Sequence, residues 1–247
     1  MKKAVVTLGT LGLAMVPLGG AAAVMGALHV PTPPIDWCYR TFCALGLKMC
    51  SGELVGPVLK TPREQLPPQA VIVSNHESHL DAAAITVALS PRSIRFVAKR
   101  ELFQIPFFGW GLRWTGSIPV ERNRSSSDVS RLREAAHNHT TGDVLFFAEG
   151  TRSPDGALHE FKKGAFIYAI EKQQPILPVG VGGGFEVLPA HELEGRPGKV
   201  AVVVGEPISV AGMTIDDRDA LREKVREVIG RLRAEALELA GSPRAGA

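Results

Sequence analysis

Short runs of apolar and β-branched residues alternate with amphipathic stretches along residues 69–240, and this alternation predicts an α/β protein. The apolar runs predict strands at 70–73, 94–98, 117–120, 144–147, 176–181 and 200–204. The amphipathic stretches predict helices at 81–89, 127–138, 163–171 and 217–239. Because strands that alternate with helices tend to pair in parallel, we expect a mixed, mostly parallel central sheet flanked by helices.

A long apolar run precedes this pattern. No charged residue occurs between Lys3 and Asp36, and the run 4–30 exceeds the about 20 helical residues that span a hydrocarbon core. Its length fits a membrane anchor, and its glycine and proline interruptions fit a helical hairpin or an interfacial segment. Its leading lysines and small residues fit a cleaved signal peptide. We favour an anchor or an interfacial segment.

Proline-rich stretches at 31–34 and 57–68 predict linkers. We therefore expect a membrane-associated helical segment over residues 1–56 and a folded domain over residues 57–247. The three cysteines all lie within the first of these parts. Their odd number and close spacing exclude a disulfide-scaffolded fold.

Composition and charge narrow the classes of protein further. The chain of 247 residues is 45% apolar and 21% charged, which is typical of folded proteins and excludes wholesale disorder. The net charge of +3 is small, but residues 91–133 carry nine Lys and Arg against three acids, interleaved with aromatic side chains from Phe103 to Trp114. Such a segment fits an anionic bilayer surface. No nucleic-acid recognition module accompanies it.

The first candidate site directly follows the predicted strand 70–73. The polar run after it contains His76 and Asp81, and the carboxyl end of a strand is where α/β proteins place their sites. A histidine can take a proton near neutral pH, and a carboxylate can fix its tautomer and stabilise the imidazolium. Five residues of helix turn through about 500°, so the pairing requires His76 on the turn before the helix that Asp81 begins. The alternatives are a passive turn residue, or His79 as the base, although His79 lacks a carboxylate at comparable reach.

The second candidate site comes after the predicted strand 144–147 in the same way. Gly150 permits a tight turn or a close approach of the backbone to a ligand. Arg152 carries forked donors suited to phosphate oxygens, and Thr151 adds a hydroxyl donor. The alternative is a surface loop with an ion pair between Glu149 and Arg152.

These two sites belong to a longer series of sequence motifs that follow one another along the chain. Asn75-His76 and Asp81 are followed by Lys99-x-Glu101-Leu102 with 106–109, by 116–122, by 147–153 and by 175–179. Over roughly residues 60–210, this order and spacing resemble the glycerolipid acyltransferase family, specifically the 1-acylglycerol-3-phosphate acyltransferases. Two departures from the family pattern are Ala148, where proline is usual, and Glu121 before Arg122, where aspartate is usual.

The resemblance implies a reaction and a set of site residues. An acyl group would pass from a thioester of acyl carrier protein or coenzyme A to the sn-2 hydroxyl of 1-acylglycerol-3-phosphate, giving phosphatidic acid. His76 would be the general base, and Asp81 would orient it. The residues assigned to binding of the phosphorylated acceptor are Lys99, Arg122, Glu149, Gly150, Thr151 and Arg152. The acyl thioester is a co-substrate, and no metal or other cofactor is implied.

The resemblance also implies partners and a location. The expected partners are a lysophospholipid acceptor, the acyl donor and the bilayer, without nucleic acid. A thioester donor made inside the cell and the lack of a disulfide pattern favour the cytoplasmic face of the inner membrane. The open alternatives are a sibling lysolipid O-acyltransferase that takes a lyso-ornithine lipid or glycerol-3-phosphate, a non-catalytic membrane lipid-binding protein, and a secreted hydrolase.

Overall fold

A seven-stranded sheet lies at the centre of the structure. The computed structural model describes residues 17–22, 24–26, 28, 32–50, 52–121, 130, 132–134, 136–137 and 142–245. The strands are β1 (Gly52–Leu59), β2 (Val71–Ser74), β3 (Ile94–Lys99), β4 (Ile118–Val120), β5 (Asp143–Phe147), β6 (Ile176–Gly182) and β7 (Gly198–Val204). They lie in the order β1-β7-β6-β2-β5-β3-β4. β6 and β7 pair antiparallel and the other neighbouring pairs are parallel, so the predicted mixed, mostly parallel sheet is confirmed.

The helices are α1 (Thr32–Met49), α2 (Asp81–Ala88), α3 (Phe108–Trp114), α4 (Gly164–Lys172), α5 (Gly184–Val187) and α6 (Arg218–Ala240). α2, α4 and α6 confirm three predicted helices to within one residue at each end. The fourth, predicted at 127–138, lies partly outside the described residues, although 130, 132–134 and 136–137 are helical. α1 lies within the segment 1–56 that the sequence predicts to be helical, but Pro33 and Pro34, predicted as part of a linker, belong to the helix. They lie in the first turn of α1, where proline is tolerated because its missing N–H has no helical partner.

β1 was not predicted, and it corrects two boundaries. It pairs in parallel with β7 and is interrupted by an irregularity between Val55 and Val58, where Pro57 lies. Proline donates no hydrogen bond, so in a sheet it occurs on edge strands and at bulges, and β1 is an edge strand. Residues 57–59 are therefore strand rather than linker, and the predicted boundary at residue 56 falls inside β1.

Close packing explains two glycines of the apolar N-terminal run. Residues 17–22 and 24–26 are helical and lie against α3. A Cβ atom at Gly19 would lie 2.8 Å from the Phe107 carbonyl oxygen, and one at Gly26 would lie 2.3 Å from the Trp114 ring. These glycines, predicted as interruptions, permit the approach. Within the described ranges, no helix combines the length and apolar character that crossing a bilayer requires.

The core has two layers, one on each face of the sheet. Along β2, Ile72 packs on the α2 side, whereas Val71 and Val73 pack on the side of α4 and α6. This alternation is the period-2 pattern of a strand buried on both faces. The sheet edge where β2 and β5 end is therefore held rigidly from both sides.

A buried ion pair ties α1 to the sheet. Asp36 Oδ1 lies 2.7 Å from Arg95 Nη1, and the two side chains are 6% and 2% exposed. The Ser93 hydroxyl donates to the second Asp36 oxygen. Arg95 Nη2 has no hydrogen-bond partner among the described residues, so the charge of Arg95 depends on Asp36 for compensation.

We expect Asp36→Ala to lower the free energy of unfolding by about 3–5 kcal/mol, because it leaves a buried guanidinium without its counter-ion. Urea denaturation followed by circular dichroism measures the change. The matched control is Lys48→Ala on the exposed face of the same helix, with an expected change within about 0.5 kcal/mol. Equal effects of the two substitutions would contradict the prediction.

Candidate active site

Two loops meet at the edge of the sheet where β2 and β5 end. The two strands are parallel neighbours, and their last residues, Ser74 and Phe147, lie in register. Hydrogen bonds join the loops after these strands. Ser153 N–H donates to the His76 carbonyl oxygen at 2.7 Å, and His76 N–H donates to Glu149 Oε1 at 2.8 Å. The two candidate sites predicted from the sequence are thus one site.

Asp81 contacts His76 in the way the spacing predicted. His76 lies on the turn before α2, which Asp81 begins, and its Nδ1 lies 2.8 Å from Asp81 Oδ2. The same oxygen accepts the N–H groups of Glu77 and Ser78 at 2.7 and 2.8 Å. Because Nδ1 faces the carboxylate, Nε2 is the nitrogen that can take a proton from a ligand.

The His76 ring is held in place on its other side by an aromatic contact. It stacks on Phe147 with ring centroids 3.8 Å apart and an interplanar angle of 14°. The His76 side chain is 15% exposed, whereas that of Asp81 is fully buried. The imidazole is therefore accessible at one edge, and the carboxylate beside it is shielded from water.

Asn75 and Ser78 fix the turn to the neighbouring strand and helix. The Asn75 amide donates to the Val181 carbonyl and accepts from the Val181 N–H, both at 2.9 Å, which binds the turn to β6. The Ser78 hydroxyl donates to the Leu188 carbonyl at 2.7 Å. Gly184 of α5 lies so close that a Cβ there would be 2.8 Å from Asp81 Oδ1.

Glu149 holds the His76 turn from the neighbouring loop. It is 4% exposed, and its oxygens accept the N–H groups of His76 and His159 at 2.8 and 3.0 Å. Burial raises the pKa of Glu149, and the two N–H donors oppose that shift. Its part in binding the acceptor stays a prediction.

Gly150, Thr151 and Arg152 lie on the loop beside His76. Gly150 has a φ of +75°, a conformation that favours glycine, and Thr151 is exposed. The Arg152 guanidinium contacts the His79 ring. Burial and the Arg152 charge lower the pKa of His79, which disfavours a second positive charge beside this guanidinium.

Of the other two predicted cations, the structure describes Lys99 alone. Lys99 ends β3 at the same edge of the sheet, and its Nζ lies 3.0 Å from Glu101 Oε1 in an exposed pair. Arg122 lies outside the described residues. Among the residues that are described, no three His, Cys, Asp or Glu side chains group closely enough to hold a metal ion.

Three charged residues near the site were not found from the sequence. Glu77, next to His76, is 1% exposed and contacts Arg244 and Arg233. Burial and the Asp81 carboxylate raise the pKa of Glu77 to about 7, whereas the two guanidiniums oppose the shift. The arginines lie 156 and 167 residues from Glu77 in the chain, so no local pattern indicates the contact.

An apolar surface extends from the N-terminal helical residues to α3. Exposed apolar side chains cluster here, including Trp37, Trp110 and Trp114, which are 58%, 42% and 42% exposed. Beneath them runs an apolar cleft between the helical residues 17–22, α1 and α3. Its lining includes Leu18, Ile35, Phe42, Phe107 and Phe108.

The chain is similar in sequence to known acyltransferases. The model of the family described as Acyltransferase matches residues 58–182. A chloroplastic 1-acyl-sn-glycerol-3-phosphate acyltransferase of Brassica napus is 36% identical over 85% of this chain, and the human 1-acyl-sn-glycerol-3-phosphate acyltransferase alpha is 35% identical over 63% of it. The chain spans 63% and 56% of the lengths of these relatives.

A solved structure resembles the whole fold. The crystal structure of the 1-acyl-sn-glycerophosphate (LPA) acyltransferase PlsC from Thermotoga maritima superposes with a TM-score of 0.76 at 26% identity, over 95% of each chain. The family match covers β2, β5 and both loops of the His76 site. On this sequence match and this fold, the chain belongs to the acyltransferase family.

Proposed function

We propose that the protein transfers a fatty acyl group from an acyl thioester to the sn-2 hydroxyl of 1-acylglycerol-3-phosphate, forming phosphatidic acid. The observation that carries the proposal is the 2.8 Å contact between His76 Nδ1 and Asp81 Oδ2 on a turn joined to the Arg152 loop. The relatives from Brassica napus and human bear the name of this activity. A phosphorylated acceptor suits the cation beside the base.

The reaction needs one general base. His76 Nε2 removes the proton of the acceptor hydroxyl while that oxygen attacks the thioester carbonyl, and Asp81 stabilises the imidazolium. The new C–O bond is the ester, and the C–S bond breaks as the tetrahedral intermediate collapses. The imidazolium proton then passes to the leaving thiolate. His76 is thereby restored for the next turnover, and no covalent enzyme intermediate forms.

The acceptor phosphate would be bound by Arg152, with Lys99, Arg122 and the Gly150–Thr151 backbone completing the site. Guanidinium groups bind phosphate through paired hydrogen bonds. Contact with the His79 ring would orient the Arg152 guanidinium. Either acyl carrier protein or coenzyme A would supply the thioester.

The protein would work at the cytoplasmic face of the inner membrane through residues 1–56 and α3. Exposed tryptophans such as Trp110 and Trp114 suit the interface of a bilayer, where an apolar ring and a polar N–H are both accommodated.

We expect His76→Ala to lower kcat by about 10²–10⁴-fold, because the base is lost, and to leave binding to anionic vesicles unchanged. Radiolabelled product formation and vesicle flotation measure the two effects. The control is His137→Ala, which removes an exposed histidine elsewhere. Normal turnover by His76→Ala would refute the assignment of the base, and turnover absent from the wild type would favour a non-catalytic lipid-binding protein.

We expect Asp81→Asn to keep the fold but lower kcat by roughly the same 10²–10⁴-fold factor as loss of the base. The amide offers His76 Nδ1 a donor where it needs an acceptor and so disfavours the reactive tautomer. Steady-state kinetics beside a circular dichroism spectrum measure both quantities. A kcat within error of the wild type in a folded variant would contradict the pairing.

We expect Arg152→Ala to raise KM for the phosphorylated lysolipid about 10- to 100-fold, the cost of a lost hydrogen bond to a charged group. KM for an unphosphorylated lysolipid should not change. The panel compares both acceptors with both thioester donors, and Arg231→Ala, on the exposed face of α6, is the control. Preference of the wild type for an unphosphorylated acceptor would identify a sibling lysolipid acyltransferase instead.

A further inference from the structure

Glu77 is a buried carboxylate next to the candidate base. It is 1% exposed and lies near the buried Asp81, whose charge raises its pKa. A buried charge costs several kcal/mol unless it is paired and hydrogen-bonded. The Phe185 N–H of α5 donates a long hydrogen bond of 3.3 Å to Glu77 Oε1. Glu77 therefore depends on cations from elsewhere in the fold.

Arg244 supplies the closer of two cations. Its Nη2 lies 3.2 Å from Glu77 Oε1 and its Nη1 lies 3.4 Å from Glu77 Oε2. Arg233 Nε of α6 lies 3.6 Å from Glu77 Oε2. Arg244 is itself held by Glu186 of α5, at 2.8 Å from Nε and 2.9 Å from Nη2, and by the Gly156 carbonyl at 2.5 Å from Nη1.

The turn that follows α6 places the Arg244 side chain beside Glu77. Gly241, with a φ of +66°, ends the helix in the left-handed conformation, and Ser242 N–H donates to the Leu237 carbonyl. The Ser242 hydroxyl donates to Glu186, and Arg244 N–H donates to the Ser242 oxygen. The Arg244 guanidinium carbon then lies 4.8 Å from the centre of the Phe185 ring.

We propose that Arg244 is a positioning residue of the acyltransferase site, whose guanidinium compensates Glu77 and so fixes the turn that holds His76 against Asp81. The inference rests on the proposed function and adds a residue from the far end of the chain to it. Glu77 and His76 are adjacent, and Glu77 N–H is one of the three donors to Asp81 Oδ2. A shift of the Glu77 side chain therefore moves the backbone that carries the base.

The charges around Glu77 determine how the loss of Arg244 would act on the turn. Asp81 faces Glu77 from α2, Arg233 from α6 and Glu186 from α5. Without Arg244, Arg233 would remain as the cation near the carboxylates of Glu77, Asp81 and Glu186. Glu77 would then take up a proton or move toward water, and a displacement of about 1 Å at a catalytic group costs on the order of 10²-fold in rate.

The experiment compares Arg244→Gln, Glu77→Gln and the double variant in the full chain. We expect Arg244→Gln to lower kcat about tenfold or more with little change in KM, since the base is displaced rather than the acceptor site. The double variant should return to within about threefold of Glu77→Gln alone, because a neutral amide needs no cation. If the loss persists in the double variant, Arg244 acts through Glu186 or Gly156 alone, and the proposal is overturned.

Two further measurements do not depend on turnover. The downfield Nδ1–H proton signal of His76, assigned by its loss in His76→Ala, should shift in Arg244→Gln and return in the double variant. The Tm deficit of Arg244→Gln should widen as pH rises above about 7, because Glu77 then ionises beside Arg244 in the wild type but has no such partner in the variant, and it should not widen in the double variant. Arg231→Gln on the exposed face of α6 is the control.

These measurements separate the two proposals. A wild-type protein without transferase activity refutes the proposed function, while the His76 signal and the Tm series still test the compensation of Glu77 by Arg244. An unchanged His76 signal in Arg244→Gln overturns the positioning role even if turnover is normal in the wild type. A Tm deficit that does not vary with pH overturns the compensation of Glu77.

Discussion

The fully buried carboxylate of Asp81 is the constraint on which the site depends. A buried charge is stable only when donors surround it. Asp81 Oδ2 meets that need by accepting from His76 Nδ1 and from two N–H groups of the preceding turn. Those hydrogen bonds fix the conformation of the turn. In that conformation the Nε2 edge of the imidazole faces away from Asp81. The hydrogen bonds that satisfy Asp81 Oδ2 thus also orient the imidazole.

The position of β2 in the sheet makes this arrangement rigid. β2 lies between β5 and β6, so the turn after it can contact the loops of both neighbours. Asn75 binds β6 on one side, and Glu149 receives the His76 N–H from the other. A polar turn at an edge strand would have one such neighbour. The central position of β2 explains why short polar loops, which alone would be mobile, hold the His76 side chain in a defined orientation.

Charge compensation extends the site well beyond its motifs. Glu77 and Asp81 place two buried carboxylates within one turn, and the cations that oppose them come from α6 and the turn after it. α6, which packs on the opposite face of the sheet from α2, thereby also stabilises the His76 turn. The same principle holds α1, where Asp36 meets the buried Arg95. In both places a pair of opposite charges joins segments that are distant in the chain: α1 to β3, and the turn after α6 to the His76 turn.

The sequence by itself determined the elements whose information is local. Periodicity located α2, α4, α6 and six of the strands, and the spacing from His76 to Asp81 required the turn that the structure has. The prediction of linkers was wrong at Pro33, Pro34 and Pro57, which lie in the first turn of α1 and at an irregular point of the edge strand β1. The sequence also gave no sign of Arg244 as a partner of Glu77. These points depend on the tertiary structure, because the partner of a buried polar group is set by which strands become neighbours, and strand order is a property of the whole chain.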